Sequence, residues 1–124
     1  MNDVVELTIP LETPAKKNSR VYNSHSHKCF PSANFARWHQ SATLHLRNQY
    51  NGSAIDYPVS IEITFTHGDL RRRDSDNGVS SILDLLCDCE VLKDDNWTIV
   101  KHISIFNQLS IQNPSAYIVI RPMK

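Results

Sequence analysis

The chain has 124 residues, 40% of them apolar and 21% charged, with 13 Lys+Arg balanced by 13 Asp+Glu. That length suits one domain with a real core, too short for two independent lobes, and the apolar content argues against intrinsic disorder. No apolar run approaches the ~20 residues of a membrane span, the polar start Met1-Asn2-Asp3 is unlike a secretory signal, and three cysteines point to a reducing, cytoplasmic setting.

Val4-Val5-Glu6-Leu7-Thr8-Ile9 reads as a first strand, ended by Pro10 and Pro14. Lys16 to Phe30 is a polar, basic stretch that can hold a short strand at Arg20-Val21-Tyr22. Pro31-Ser32 then opens a helix over about Ala33 to Tyr50, because Phe35, Trp38, Ala42 and Leu46 recur at helical spacing and Asn51-Gly52 supplies the stop. Between Lys16 and Arg47 lie six Lys/Arg, four His and no acid, so the neutral total conceals a local basic half suited to a polyanion.

In the second half, Pro58 precedes Val59-Ser60-Ile61-Glu62-Ile63-Thr64-Phe65, whose strict alternation predicts a strand with one buried face. Val79, Ile82, Leu83 and Leu86 predict a second helix over about Asn77 to Glu90. Two further strands are expected near Thr98–Phe106 and Ala116–Arg121, separated by the Asn113-Pro114 turn. The order suits a single α+β domain over residues 1–124: a small mixed or antiparallel sheet with two packed helices.

Chemistry concentrates in Arg71-Arg72-Arg73-Asp74-Ser75-Asp76-Asn77 and in Lys93-Asp94-Asp95. Asp74 and Asp76 stand two apart where a strand exit meets a helix start, so an extended chain points both carboxylates the same way. Asp76 or Asn77 can cap the helix, which then carries Ser80 and Asp84 onward at i+4 steps and returns the chain to Asp94-Asp95 as the source of a third carboxylate. Two such charges ~4 Å apart repel by about 4 kcal/mol at an effective dielectric of 20, so either the arginines or a divalent ion must offset them. All-oxygen ligands suit Mg²⁺ or Mn²⁺ and the hydrolysis of phosphodiesters. An isolated Asp-x-Asp is otherwise a turn or cap, and a run of arginines a solvated surface.

These residues resemble the RusA-type Holliday junction resolvases. The likeness is densest over Arg71–Asp95 and extends to the early strand, to Pro14 with Lys16-Lys17-Asn18-Ser19-Arg20, and to Pro31-Ser32 opening the Trp38 helix. The resemblance implies a small homodimeric endodeoxyribonuclease, bacterial or phage-borne, that acts with Mg²⁺ on four-way DNA junctions. It further implies that Asp74, Asp76 and Asp95 hold the metal and carry catalysis, with Asp84 and Asp94 as supporting acids. Lys16, Lys17, Arg20, Arg71, Arg72, Arg73 and Lys93 are then the contacts to DNA phosphates. One departure stands out: the family's lysine in the first turn after Asp-Asn is Ser80 here, which keeps open a catalytically weakened branched-DNA binding protein. A metal-binding domain without a nucleic-acid partner would leave the basic stretch idle.

Other signals read more plainly. His25-x-His27-x-Cys29 with Cys87-x-Cys89 matches no familiar zinc spacing, so buried thiols and loop histidines are the expectation. Phe35 and Trp38 are expected in the core. Trp97 is also assigned to the core by default, with packing at a dimer interface or under the site as alternatives. His67 near the arginines could assist proton transfer. Gly78 should weaken the helix start.

Overall fold

The alternating segment at Val59 is the centre of the fold. In the computed structural model, which describes residues 3–15, 20–23 and 28–123 (backbone alone at 20–23 and 28–31), Val59, Ile61, Ile63 and Phe65 are all buried. They lie on β4 (Val59–His67), preceded by β1 (Val5–Ile9), β2 (Arg20–Asn23), β3 (Lys28–Pro31) and α1 (Ala33–Gln49). Then come α2 (Ser75–Asp88), β5 (Val100–Leu109) and β6 (Ser115–Pro122). No helix among the described residues is long and apolar enough to cross a membrane.

The sheet is mixed, in the order β1-β6-β4-β5. β6 lies antiparallel to both β1 and β4, whereas β4 and β5 run parallel. A parallel pair needs a crossover, and α2 provides it. One face of the sheet, built from Leu7, Ile9, the four β4 residues, Ala116, Ile118 and Ile120, forms a single core with both helices. From α1 come Phe35, Trp38, Ala42 and Leu46, and from α2 come Ile82, Leu85 and Leu86. On the opposite face Arg121 pairs with Glu62 and Tyr117 donates to Glu6, beside Val119 and an exposed Phe106.

Local chemistry sets the boundaries. Ser32 caps α1 by accepting from the Phe35 N–H at 3.2 Å, where Pro31-Ser32 predicted the start. The short β2 falls where the sequence suggested, but its antiparallel partner β3 was not foreseen. At the far end of α1, the Gln49 amide accepts from the Thr8 N–H and donates to the Thr8 carbonyl, both at 2.7 Å. One side chain thus closes the outer edge of β1, whereas β5 has no strand beyond it among the described residues.

α2 begins two residues earlier than predicted. Its N-cap is Asp74, not Asp76 or Asn77, and the Asp74 carboxylate makes no capping hydrogen bond. Its end is followed by Glu90 at φ 59, in the left-handed region where glycine is the usual choice. The Val91 N–H then bonds back to the Leu86 carbonyl at 2.9 Å. From there the chain is pinned to the segment before β4: the Ile55 N–H donates to the Val91 carbonyl at 2.8 Å, and the Lys93 N–H to the Ile55 carbonyl at 2.9 Å. Lys93-Asp94-Asp95 is therefore held at the starting end of β4, while Asp74 sits just past its exit.

Candidate active site

A cleft of about 390 Å³ opens where β4 ends and α2 begins. Phe65, His67, Arg72, Asp74, Ser75 and Asn107 contribute to its wall. The wall is built around Glu12, from the segment after β1. Glu12 Oε2 lies 2.7 Å from His67 Nδ1, and Oε1 accepts from the Gly68 N–H at 2.9 Å. The Arg73 guanidinium stands 3.3 Å from Glu12 Oε1 and 2.9 Å from Asp69 Oδ1. On its other side the His67 ring meets Asn107 Oδ1 at 2.9 Å, and the Asn107 amide donates to Ser75 Oγ at 3.3 Å. β1, β4, β5 and α2 are thereby tied together around one ring. The Asp69 carboxyl is held below the usual range, first by the Arg71 N–H and then by the Arg73 side chain.

The three arginines have different lots. Arg73 is only 22% exposed and spends its donors on Glu12, Asp69 and the Asp69 and Arg71 carbonyls. It braces the cleft and has little left to offer a ligand. Arg71 is exposed, and Arg72, 90% exposed, reaches no closer than 3.7 Å to Asp74. Asp74 and Asp76 are themselves exposed at the mouth of the cleft and at the first turn of α2. Gly78, in the next turn, allows a close approach: a Cβ there would stand 3.1 Å from the Phe65 ring. The residue expected to weaken the helix start is what lets the helix lie against β4.

Asp94 and Asp95 do not join this pair, contrary to the expectation that α2 would carry a third carboxylate back to it. α2 spans 14 residues, about 21 Å, and it runs back along β4 to the opposite end of the sheet. Among the described residues no three His, Cys, Asp or Glu side chains gather as a metal site. Asp84 lies between the two ends. Lys93 borders a shallow depression with Asp56 and Asp94. Asp94 accepts from the Asp95 N–H at 2.7 Å and from the Asn96 amide at 2.9 Å, and these bonds, the Asn96 one foremost, hold its carboxyl below the usual range.

Two further expectations resolve. Phe35 and Trp38 are core residues as predicted, but Trp97 is 75% exposed, because the turn following Asp95 carries it outward. Burial, reinforced by the nearby Asp95, Asp94, Asp84 and Asp88 charges, pushes the Cys87 thiol up to about 11, which suits a half-buried thiol better than a metal ligand. Lys16, Lys17, His25 and His27 lie outside the described residues. Arg20 and Cys29 fall on β2 and β3, where only the backbone is described. Sequence reasoning missed Glu12 and Asn107 altogether: each is an ordinary polar residue whose role arises from a contact some 40 or more positions away.

A mixed four-stranded sheet with two helices on one face, and an aspartate- and arginine-bearing cleft at a strand-to-helix junction, defines an α+β domain. Residues 10–121 match the family described as Endodeoxyribonuclease RusA, and the chain belongs to that family. It is also 30% identical over 111 residues to the crossover junction endodeoxyribonuclease RusA of Aquifex aeolicus (strain VF5), an alignment covering 90% of this chain and 86% of that protein.

Proposed function

We propose that the chain is a Mg²⁺-dependent endonuclease, Mn²⁺ serving as an alternative, that resolves four-way DNA junctions by paired phosphodiester hydrolysis. The observation that carries this reading is Asp74 exposed at the mouth of the cleft, with Asp76 exposed in the helical turn that follows, in a member of the RusA family. Asp74 makes no capping bond and Asp76 is exposed in the first helical turn, so both carboxylates can serve a cation. Mg²⁺ favours one or two carboxylates with water and phosphate oxygens completing its shell, a demand this pair meets. Bound there, it would supply stabilisation of charge on the scissile phosphate and activation of the attacking water.

The protein's own groups do the rest. Arg72 and Arg71 extend into solvent beside the pair, where they can meet non-bridging phosphate oxygens and orient the strand. The Glu12–His67–Asn107 chain keeps the wall rigid, so the carboxylates hold one geometry. In-line attack opposite the 3′ oxygen leaves a 5′-phosphate nick.

A homodimer belongs to the same reading. One chain keeps Asp94 and Asp95 about a helix length from Asp74 and Asp76, so Asp95 can join the pair only from a second copy. A two-fold arrangement supplies it twice, with Asp95 of each copy meeting the pair of the other, and yields two cutting sites for the two nicks. The alternative is a branched-DNA binding protein of weakened catalysis, favoured by Ser80, whose short exposed side chain brings no cation to the first turns of α2.

A labelled synthetic four-way junction, compared with linear duplex in Mg²⁺ or chelator, tests the assignment. Symmetric, Mg²⁺-dependent nicking of the junction alone is the expected result. Retention without cutting under all conditions would favour the binding protein, and indifference to DNA would remove both.

A further inference from the structure

We propose that Trp97 stacks on a nucleobase exposed at the branch point of the DNA, so that this chain tells a junction from a continuous duplex through an aromatic side chain. The inference rests on the junction-nuclease reading above. The chain has two tryptophans, and they differ sharply: Trp38 is 6% exposed within the core and Trp97 is 75% exposed. The indole is not on a loose tip. The Asn96 side chain accepts from the Thr98 N–H at 2.9 Å and from the Thr98 hydroxyl, and the Asn96 carbonyl accepts from Ile99 and Val100 at 3.1 and 2.9 Å. With Asp94 accepting from Asp95 and Asn96, the whole turn is braced by its own polar groups, and it presents the ring two residues beyond Asp95.

The ring also has a charged companion. The Lys101 ammonium lies 4.5 Å from its centroid, over one face. An aromatic face beside a cation is the pairing that single-stranded nucleic-acid surfaces use: the ring takes the base and the cation the backbone phosphate. Bases inside a continuous duplex have both faces stacked and offer nothing to an indole. At a branch point a base pair loses a stacking neighbour, and its open face matches the uncovered side of Trp97. Placement beside Asp95 puts that contact next to an acid assigned to the cutting site, so recognition of the branch and positioning of the scissile strand become one event.

Tryptophan emission reads this directly, because Trp97→Phe leaves only the buried Trp38 and the difference between the two proteins is the Trp97 signal. With chelator present to prevent cutting, saturating four-way junction should quench most of that signal, and linear duplex of the same sequence should leave most of it. Trp97→Ala should weaken junction binding about 5- to 100-fold, the loss expected for one base-on-aromatic stack, while binding of duplex changes little. Trp97→Phe should retain most of the affinity.

Unchanged emission on junction saturation, with equal junction affinity for Trp97→Ala, overturns the assignment while leaving the nuclease reading intact. A blue shift that grows with protein concentration without DNA, together with loss of the dimer in Trp97→Ala, also overturns it and places the indole in a protein interface. If the wild-type protein neither binds nor cuts a junction, the nuclease reading fails first and this one with it.

Discussion

The two ends of α2 carry the same chemistry in different settings. At its start, Asp74 borders a cleft, with Asp76 exposed in the first helical turn beside it, and the cleft wall is fixed by Glu12, His67, Arg73 and Asn107, groups drawn from four parts of the chain. Past its end, Asp94 and Asp95 stand on a turn that satisfies its own polar groups and is fastened to the rest through the Ile55 backbone. The first end is organised by tertiary contacts, the second by local ones. The aspartates at the two ends therefore sit in unlike surroundings, one pair beside side chains gathered from distant parts of the chain, the other on a turn held by its own groups.

Substitutions at the two ends should separate in size. Asp74→Asn and Asp95→Asn each remove a carboxylate assigned to catalysis, and each should lower junction cleavage by about 10²–10³-fold or more, measured by single-turnover assay, with junction binding retained. Glu12→Ala dismantles the bracing of the cleft. It should lower stability by about 1–2 kcal/mol in urea denaturation, a modest figure because the network is partly exposed, and Glu12→Gln should lose less since it keeps an acceptor for the Gly68 N–H.

Gly78→Ala sets a gain in helix propensity of up to about 1 kcal/mol against contact with the buried, ring-stacked Phe65. Phe65 has little room to give, so the net expected change is a loss of about 1 kcal/mol, read from the same denaturation curves. At the other end the smallest effect is a pH dependence. The Asp94 carboxyl is depressed in the folded state, so its contribution is present above the unfolded value and fades as the pH falls through the lower folded one. A stability difference between wild type and Asp94→Asn at neutral pH should therefore close once the pH drops well below 3.8, the ordinary value for such a group.

Period and punctuation made much of the fold readable in the sequence. The β4 alternation, the Phe35-Trp38-Ala42-Leu46 stripe and the Ser32 cap are local signals, and β4 and α1 lie within a residue or two of their expected places. β3 escaped notice because Lys28–Pro31 has no alternation of its own and was absorbed into the approach to α1. The strand-to-helix junction that carries Asp74 and Asp76 is a local signal too, although Asp76 lies within α2 and not on the extended segment expected for both.

What failed to show was anything set by distance along the chain. His67 meets Glu12 across 55 positions, and nothing in either neighbourhood announces the other. A return of Asp95 to Asp74 is what the sequence suggests, from the reversal of chain direction by the helix. Its rise of about 1.5 Å per residue carries the chain away by its full length, and no turn brings it back. Residue type alone places Trp97 in the core, and the turn after Asp95 places it outside.

Mixing the two inactive variants is the most direct test of the split site. If Asp95 works with the aspartate pair of the other copy, a heterodimer of Asp74→Asn and Asp95→Asn subunits holds one fully substituted site and one intact site. Subunits exchanged before assay should then recover Mg²⁺-dependent nicking of a single junction strand, although each parent alone is inert. A mixed dimer as inactive as its parents would mean that all the acids act within one chain, and the division of the site between the two ends of α2 would be wrong.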